Sequence, residues 1–348
     1  MSYIDKRAAQ FYSYSNNTFH KLYNSLSNSW VRLSTDWSAP GLYIQGGFIY
    51  GRGLVNSGSV GTIFTPDDPF LPYLTHIYST PSGPSTAGGR IDHSNTTVAA
   101  SVVNGGWLSL DAIRTPLDIL QFVDISSSLT NSWVSYGLTF EAPHVYKDEL
   151  GFVHMCGTIK DGTLSTSFYT LPADYRPAKT VRFPVVSGGS QAGYVNIASN
   201  GTCTIFGPSN LAMSLNNIVF MAESSPLHND YVELTSSDLE SGYSVNDGST
   251  YYPLAYFIAP NGRVYWRGVV DVDSPSVSLS TINIATLPAN IRPTLGVMFG
   301  NYSNGGLTLI RINNNSTYLS AVNLTGTSLL FYDGMHYVYP KQSLGSLL

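Results

Sequence analysis

Short segments in which apolar and polar residues alternate fill the chain from residue 40 onward. Residues 307–312 are one example, and residues 194–198 are another, with Val195 and Ile197 on one face. A side-chain period of two is typical of β-strands. Turns rich in Gly, Pro and Asn separate these segments, and helical periodicity is almost absent between them. The pattern therefore predicts an all-β fold.

The N-terminal segment is the exception to this pattern. Its apolar residues recur at helical spacing, and they are Phe11, Phe19, Leu22, Tyr23 and Leu26. We therefore expect one or two short helices between residues 5 and 27, although the Asn16-Asn17 pair interrupts the pattern. An amphipathic, aromatic segment of this kind is a candidate anchor to a larger assembly. The alternative is a helix that folds back on the first β-domain.

Several landmarks recur along the chain in a fixed order, which indicates three copies of one unit. Residues 28–31 (NSWV) are followed seven residues later by Ala39-Pro40, and residues 131–134 (NSWV) are followed at the same spacing by Ala142-Pro143. A third Ala-Pro pair is Ala259-Pro260. Glycines six residues apart bracket the strand after each pair, at residues 47–53, 151–157 and 262–268. We expect Gly53, Gly157 and Gly268 to occupy equivalent points of the three copies.

A proline-punctuated loop follows in each copy. Copies two and three carry it as residues 171–177 (LPADYRP) and 287–293 (LPANIRP), and copy one has a looser version at residues 65–72. Paired prolines fix two φ angles and remove two backbone donors, so these segments are predicted to be stiff connections. With several short strands per copy, the pattern predicts three tandem β-sandwich, jelly-roll-like domains at residues 39–126, 127–244 and 245–348, after an N-terminal segment of residues 1–38.

Composition narrows the possible functions. Only 11% of the residues are charged, the net charge is −5, and no basic stripe is present, so we expect no binding to nucleic acid. No signal peptide precedes the repeats, and no run of ~18 apolar residues suggests insertion into a membrane. The two cysteines, Cys156 and Cys203, lie in strand-like sequence and are predicted to be small buried side chains.

The chain contains no convincing catalytic or metal-binding motif. No spacing among the histidines matches a zinc site, although His144 and His154 flank one predicted hairpin. Ser190 follows two glycines but lacks the closing glycine and the helix of a nucleophile elbow. Asp271 and Asp273 share a strand face, as a glycosidase pair could, but solvated strand alternation is the preferred explanation. We expect no cofactor, no metal and no enzymatic activity, although a carboxylate pair from separate repeats stays open.

The loop of residues 171–177, followed by a strand, a Gly-rich turn and the strand at residues 197–201, resembles a module of bacteriophage tail-fibre, baseplate and receptor-binding proteins. Copy three carries the same elements at residues 287–293 and 310–314, whereas copy one lacks the Arg-Pro. The resemblance covers residues 150–335 well and the first third poorly. It implies location in the virion, after synthesis in the host cytoplasm, a homotrimer, and binding to a host surface, commonly a carbohydrate.

These observations predict a structural virion fibre protein that binds the host surface, a polysaccharide or a protein. It would attach to other virion proteins through its N-terminal segment. The alternatives are a purely structural head-fibre, decoration or adaptor protein and, further away, a polysaccharide depolymerase. Loops of the third copy mix aromatic and amide or carboxylate side chains, as sugar-binding surfaces do. The predicted ligand-binding residues are Asn301, Tyr302, Asn304, Asp333, His336 and Tyr337.

Overall fold

The computed structural model describes residues 20–21, 25–67, 70–83, 88–117, 122–188, 191–260, 262–273, 282–293, 295–303, 306–313, 316–322 and 329–338. These residues form antiparallel β-sheets, and the only helical elements among them are three short 3-10 turns, at Ser126–Ser128, Ala173–Tyr175 and Ala289–Ile291. The predicted all-β class is confirmed. None of the described helical turns is long and apolar enough to cross a membrane.

The described strands fall into three groups of eleven. Repeat 1 contains β1 (His20–Lys21), β2 (Val31–Arg32), β3 (Gly41–Gln45), β4 (Phe48–Arg52), β5 (Leu54–Asn56), β6 (Gly61–Phe64), β7 (His76–Thr80), β8 (Gly89–His93), β9 (Val98–Val102), β10 (Trp107–Ser109) and β11 (Arg114–Pro116). Repeat 2 contains β12 (Val123–Asp124), β13 (Val134–Ser135), β14 (His144–Lys147), β15 (Phe152–Cys156), β16 (Thr158–Lys160), β17 (Ser167–Thr170), β18 (Val181–Ser187), β19 (Gln191–Ile197), β20 (Thr202–Phe206), β21 (Met213–Ser214) and β22 (Val219–Met221). Repeat 3 contains β23 (Val232–Glu233), β24 (Tyr243–Val245), β25 (Ala255–Ile258), β26 (Arg263–Arg267), β27 (Val269–Val272), β28 (Ile282–Thr286), β29 (Val297–Ser303), β30 (Gly306–Ile312), β31 (Tyr318–Val322), β32 (Leu329–Phe331) and β33 (His336–Val338).

The order of strands within the sheets is the same in all three repeats. Sheet A has the orders β1-β3-β4-β11, β12-β14-β15-β22 and β23-β25-β26-β33. Sheet B has the orders β10-β5-β2, β21-β16-β13 and β32-β27-β24, and sheet C has the orders β6-β9-β8-β7, β17-β20-β19-β18 and β28-β31-β30-β29. In repeat 2, a single pair, Ser187 with Met213, joins sheets B and C into one seven-stranded sheet. The internal repetition is therefore a property of the fold as well as of the sequence.

Each repeat has its own hydrophobic core. In repeat 1 it is built around residues such as Trp30, Ile49 and Phe64. The corresponding clusters contain Trp133, Phe168 and Phe183 in repeat 2, and Trp266, Ile310 and Tyr332 in repeat 3. The alternation along the central hairpin of sheet A gives its two strands a second apolar face, because successive side chains point to opposite sides. In β4, Ile49 enters the core of its repeat, whereas Phe48 and Tyr50 belong to a separate cluster.

The repeated NSWV segments place a tryptophan under the same kind of turn. Trp30 and Trp133 are both buried, and each ring packs against a glycine, Gly58 or Gly162, where a Cβ atom would overlap it. Trp30 belongs to the core of repeat 1, and Leu26 packs against that core. Residues 26–32 therefore contribute to the first repeat, which differs from the predicted division at residue 38. The spacing of the motif was informative, but the segment completes the domain and does not precede it.

The third Ala-Pro landmark is wrong as an equivalent of the first two. Ala39-Pro40 and Ala142-Pro143 precede the sheet A hairpin, whereas Ala259 and Pro260 follow β25 and lie in its turn. The true counterpart is Pro253-Leu254: the carbonyl group of Pro253 approaches Gly268 as that of Ala142 approaches Gly157. A common dipeptide misled the alignment by one strand. The exact domain boundaries remain predictions.

Other predictions for the N-terminus fall mainly outside the described residues. Phe11, Phe19, Leu22 and Tyr23 are not among them, so their anchor role stays a prediction, but His20–Lys21 form strand β1, paired with β3, which contradicts a helix over those residues. Both cysteines are free and buried, as predicted. Burial raises the pKa of the Cys156 thiol to about 12, which makes it unreactive as a nucleophile.

Candidate functional site

The three repeats contact one another in a closed cycle. Isolated parallel bridges join Thr75 of repeat 1 to Phe140 of repeat 2, Thr180 of repeat 2 to Tyr251 of repeat 3, and Gly296 of repeat 3 to Trp37 of repeat 1. In each case the first partner directly precedes the strand β7, β18 or β29, and the second is an aromatic residue just before the sheet A hairpin. The same heterologous contact is thus made three times, and the third closes the ring. We call these contacts junctions 1/2, 2/3 and 3/1.

One glycine after the sheet A hairpin occupies an equivalent point in each repeat, as the sequence predicted. Its φ angle is positive, and its N–H donates to an Asx side chain near the end of the same repeat. The pairs are Gly53 with Asp111 (2.9 Å), Gly157 with Asn216 (2.8 Å) and Gly268 with Asp333 (2.8 Å). These three Asx residues are the centre of the junctions.

The other polar atom of each Asx side chain makes a hydrogen bond to the neighbouring repeat, across a junction. Asp333 accepts the N–H of Arg182 at 2.9 Å, and Asp111 accepts the N–H of Met298 at 3.3 Å. Asn216 instead donates its amide to the carbonyl oxygen of Ile77 at 3.0 Å. These partners are the second residues of β18, β29 and β7. Each side chain therefore fixes its own hairpin and the neighbouring repeat at once.

A cluster of aromatic and cationic side chains fills the space between the three A sheets. Phe152 of repeat 2 stacks on Tyr265 of repeat 3, with 4.1 Å between ring centroids, and Phe48 of repeat 1 stacks on His154 of repeat 2 at 4.6 Å. His336 of repeat 3 lies 5.7 Å from Tyr50 of repeat 1, edge to face. Members of all three repeats meet here, so we call this set the axial cluster: Tyr43, Phe48, Tyr50, Arg114, Phe152, His154, Arg263, Tyr265 and His336.

Two buried arginines tie the axial cluster together. Arg263 of repeat 3 donates to the hydroxyl of Tyr43 at 2.6 Å, and its guanidinium lies 3.7 Å from the ring centroid of Tyr50. Arg114 of repeat 1 donates to His154 and to the carbonyl oxygens of Asn216 (3.2 Å) and Ile218 (3.0 Å). A buried guanidinium needs such partners, because its desolvation is costly. Both arginines donate hydrogen bonds to a neighbouring repeat.

The arrangement Arg114–His154–Asp148 resembles a catalytic relay, but neither ring nitrogen of the histidine is free to meet a substrate. His154 Nε2 lies 3.0 Å from Asp148 Oδ2, and its Nδ1 receives the guanidinium of Arg114. A general base must keep one ring nitrogen free to reach a substrate. Burial, followed by the charge of Arg114, lowers the pKa of His154 to about 4, so the ring is neutral at pH 7. The geometry therefore fastens repeat 1 to repeat 2 and offers no base.

Two of the three Asx residues are buried carboxylic acids with raised pKa values. Burial raises the pKa of Asp333 to about 7 and that of Asp111 to about 6, against the opposing effect of the backbone N–H groups that each accepts. Perturbed acids are common at catalytic sites, but structural networks shift pKa values too. Here both oxygens of each acid already bind backbone groups. Their surroundings favour a structural role.

The axial cavity between the repeats is small, at about 40 Å³, room for a few water molecules. All three repeats line it through equivalent positions: Ser79, Pro184 and Gly300 from β7, β18 and β29, and Ala112, Asn217 and Gly334 after the Asx residues. Because equivalent positions of all three repeats surround it, the cavity lies where the three repeats meet. Its size is far below that of an ordinary ligand pocket.

Three of the predicted ligand-binding residues of repeat 3 have described side chains, and these side chains pack inside the protein. Asp333 is the Asx residue of junction 2/3, and Tyr337 is buried with its hydroxyl donating to the carbonyl oxygen of Ile291 at 2.7 Å. His336 belongs to the axial cluster. The Asp-Gly pair that suggested an exposed loop forms a turn that packs against repeat 2. Ligand contact by these three side chains therefore has no support from their positions.

The remaining predicted ligand-binding residues carry less information. Asn301 and Tyr302 belong to strand β29, but their side chains lie outside the description, and Asn304 is not among the described residues. Asp271 and Asp273 accept hydrogen bonds from Asn246 (3.0 Å), just after strand β24, and from Ser244 (2.6 Å) within it, which fits the interpretation as strand alternation. Across the described ranges, no group of three or more His, Cys, Asp or Glu residues could hold a metal ion.

Sequence reasoning missed the junction residues. Arg114 and Arg263 were not singled out, and neither was the Asx series, although Asp111, Asn216 and Asp333 stand at one distance before the last strand of each repeat. Alignment of the three repeat ends would have revealed that series. Comparison of the chain with protein-family models, with curated proteins and with solved structures finds no match.

Proposed function

We propose that the chain is a structural and binding protein of a virus particle, of the fibre or fibre-associated kind, and that it is not an enzyme. In this proposal the three repeats are tandem β-sandwich, jelly-roll-like domains. The observation that supports it best is the ring itself. The buried arginines, the Asx residues and His154 make contacts between repeats, which is expected of a protein whose task is to hold a shape. The sequence resemblance of residues 150–335 supports the particle context.

We further propose that the ring replaces a homotrimer. The resemblance implies a homotrimer, and a chain with sparse charge and many Tyr residues is expected to bury apolar surface against a neighbour. Contacts such as Phe152 on Tyr265 and Arg263 on Tyr43 bury that surface between repeats of one chain. A threefold arrangement is thereby made without a second copy. A single chain also allows the three positions to diverge, which identical subunits cannot do.

Solution mass tests this proposal directly. Light scattering coupled to size exclusion should give a monomer of 37.7 kDa at micromolar concentration. A stable trimer would contradict replacement of a homotrimer by the ring and would support the assembly that the sequence resemblance implies. A pull-down with particle proteins, using full-length chain, would then test virion attachment, for which the N-terminal segment stays the proposed contact.

Binding to a host-surface polysaccharide is a second candidate function, and one exposed aromatic residue favours it. Tyr73 is 68% exposed in the loop before β7, and Leu138, 89% exposed, precedes Thr139, whose carbonyl oxygen accepts the N–H of Thr75 at 2.8 Å. An exposed aromatic face is the usual stacking surface for sugar rings. These residues belong to repeats 1 and 2, so they form a surface only when junction 1/2 is closed.

A glycan array probed with the chain and with Tyr73→Ala tests this candidate. We expect a loss of at least about tenfold in affinity for any glycan that the chain binds, because a stacked ring contributes about 1.5 kcal/mol or more. Leu211→Ala is the control, since Leu211 is 64% exposed at another site. No binding to any glycan would leave the purely structural role, as an adaptor or decoration protein. Release of reducing sugar from the host polysaccharide would revive the depolymerase alternative.

A further inference from the structure

The three junctions share one backbone arrangement but differ in titratable groups. Junction 1/2 contains His76 at the start of β7, where the equivalent strands β18 and β29 start with Val181 and Val297. His144 and His154 lie on the repeat 2 side of the same junction. Its Asx residue is Asn216, whose amide side chain does not titrate. Junctions 2/3 and 3/1 have the carboxylic acids Asp333 and Asp111 at that position.

We propose that junction 1/2 is the acid-labile closure of the ring. On acidification the buried histidines His76, His144 and His154 take up protons, and repeats 1 and 2 separate there before the other two junctions open. This inference goes beyond the proposed structural role and does not depend on the identity of the particle or its receptor.

His76 is the first of the three groups. Its side chain is buried, and its Nδ1 lies 3.4 Å from Asn216 Oδ1, across the junction. The charged or titratable groups that face it are His93 of β8, His144 of β14 and the carboxylate of Glu141, whose Oε2 is 3.9 Å from Nε2. Burial, followed by the two neighbouring histidines, lowers the pKa of His76 to about 3. The carboxylate of Glu141, which is 21% exposed, does not offset this burial.

His144 has less hydrogen bonding than its position requires. Its Nδ1 lies 3.3 Å from Glu141 Oε1, and Asp124 of β12 also faces it, while its buried Nε2 has no hydrogen-bond partner among the described residues. The ring of Phe122 covers it at 4.2 Å between centroids. Burial lowers the pKa of His144 to about 4, although the charge of Asp124 acts in the opposite direction.

His154 meets repeat 1 directly. It accepts from Arg114, stacks on Phe48 and faces Asp148 on its own hairpin, with His336 of repeat 3 close enough to add repulsion when both are charged. A protonated His154 could no longer accept from Arg114. Two cations would then meet in a buried contact, which is strongly unfavourable. Protonation therefore removes a hydrogen bond and adds repulsion between repeats 1 and 2.

Protonation has opposite effects on the stability of different junctions. A histidine whose pKa is lower in the closed ring stabilises closure above its ordinary pKa of about 6.5 and loses this effect as the pH falls towards 4. The pKa values of Asp333 and Asp111 are raised in the closed ring, so closure of junctions 2/3 and 3/1 gains from protonation over the range from about 7 to 4. Junction 3/1 also faces His336, whose pKa is lowered by burial, so its response is intermediate.

The expected effect is large. At pH 5, a histidine that titrates near 6.5 when exposed and near 4 when buried raises the opening equilibrium about thirtyfold. Three such groups at one junction multiply this factor. Even if only one of them is exposed on opening, the change is readily measured.

Site-resolved amide hydrogen exchange on the full chain, corrected for intrinsic rates, provides the test between pH 7.5 and pH 5. The reporters are amides that donate across single junctions: Glu141 to Thr75 for junction 1/2, Arg182 to Asp333 for junction 2/3, and Met298 to Asp111 for junction 3/1. Protection at Glu141 should fall at least thirtyfold, whereas protection at Arg182 should not fall, because protonation of Asp333 favours closure of junction 2/3. Equal losses at all three reporters, or no loss at Glu141, would overturn the proposal.

Substitutions taken from the equivalent positions identify the groups responsible. His76→Val introduces the residue of β18 and β29, and His144→Ala introduces the residue that starts β25. Each should reduce the pH response of the Glu141 reporter at least about tenfold, after protection at pH 7.5 has confirmed that the variant is folded. His228→Gln is the control, because His228 lies outside junction 1/2, and it should leave that response unchanged. An unaltered response in both His76→Val and His144→Ala would refute the assignment to these histidines.

Discussion

At the scale of single residues, the polarity of the facing backbone atom decides between Asp and Asn at the junctions. Asp333 faces an N–H group, so a carboxylate oxygen is the matching acceptor. Asn216 faces the carbonyl oxygen of Ile77, which also accepts from Ser214, so an amide donor is required. A buried group that faces one of its own kind loses a hydrogen bond and its desolvation is not compensated. The same backbone site therefore tolerates only one of two nearly isosteric side chains.

Asn216→Asp tests this rule. At pH 8 the new carboxylate would face the carbonyl oxygen of Ile77, so we expect a loss of about 3 kcal/mol in the free energy of unfolding. Chemical denaturation followed by tryptophan fluorescence measures it. Asn200→Asp in an exposed turn is the matched control and should change the free energy by less than about 0.5 kcal/mol. Similar values for the two variants would contradict the rule.

The junction glycines combine a positive φ angle with close packing. Gly157 has φ +97°, and a Cβ atom there would overlap the carbonyl group of Ala142. We expect Gly157→Ala to lower the free energy of unfolding by about 3 kcal/mol or more, because strain and overlap add. Gly137→Ala separates the two effects, since φ is +74° but no atom lies within 4 Å of its Cβ position. That control should lose only about 1 kcal/mol. A smaller loss in Gly157→Ala than in Gly137→Ala would show that close packing is unimportant.

At the scale of elements, strand β2 and the turn before it complete repeat 1. Trp30 is 2% exposed and donates through its indole N–H to the carbonyl oxygen of Ser59 at 3.1 Å, whereas the next residue, Val31, is 50% exposed. Trp30→Ala should therefore cost about 3–5 kcal/mol, and Val31→Ala should cost less than about 0.5 kcal/mol. Thermal unfolding measures both. Equal stability of the two variants would mean that this segment is not part of the domain, as the sequence-based division at residue 38 implies.

Much of this element structure could be predicted from the sequence, for identifiable reasons. Period-two alternation and Gly-bounded strands depend on local geometry, so the hairpin glycines Gly53, Gly157 and Gly268 were placed correctly. Ala259-Pro260 failed because a dipeptide carries little information about which turn it occupies. The Asp333-Gly334 turn was recognised as a turn, but its burial depends on repeat 2, which no local pattern reports. Strand pairing within a repeat can thus be predicted from the sequence, whereas contacts between repeats cannot.

At the scale of the whole molecule, closure of the ring couples three cores that are otherwise separate. The side chains that meet in the axial cluster do not repeat: the equivalent position at the start of the last strand of sheet A is Arg114, Val219 or His336. Three different chemistries therefore solve one geometric problem: an arginine–histidine contact at junction 1/2, an aromatic contact at junction 2/3 and an arginine–tyrosine contact at junction 3/1. This divergence explains why sequence periodicity revealed the repeats but not their association.

Coupling through the junctions predicts how the molecule unfolds. At pH 8 the intact ring should unfold in one cooperative calorimetric transition, because no repeat can open without exposing buried aromatic surface of its neighbour. Phe152 is buried between repeats 2 and 3, in a cluster distinct from either core. Phe152→Ala should cost about 3–5 kcal/mol and separate the melting of repeat 3 from the rest, giving two resolved transitions. Phe168→Ala removes a ring of the same size from the core of repeat 2 and should lower the melting temperature without splitting the transition. If both variants melt in a single transition, junction 2/3 does not limit cooperativity. If the unsubstituted chain already melts in three, the repeats are independent and the ring contributes little to their stability.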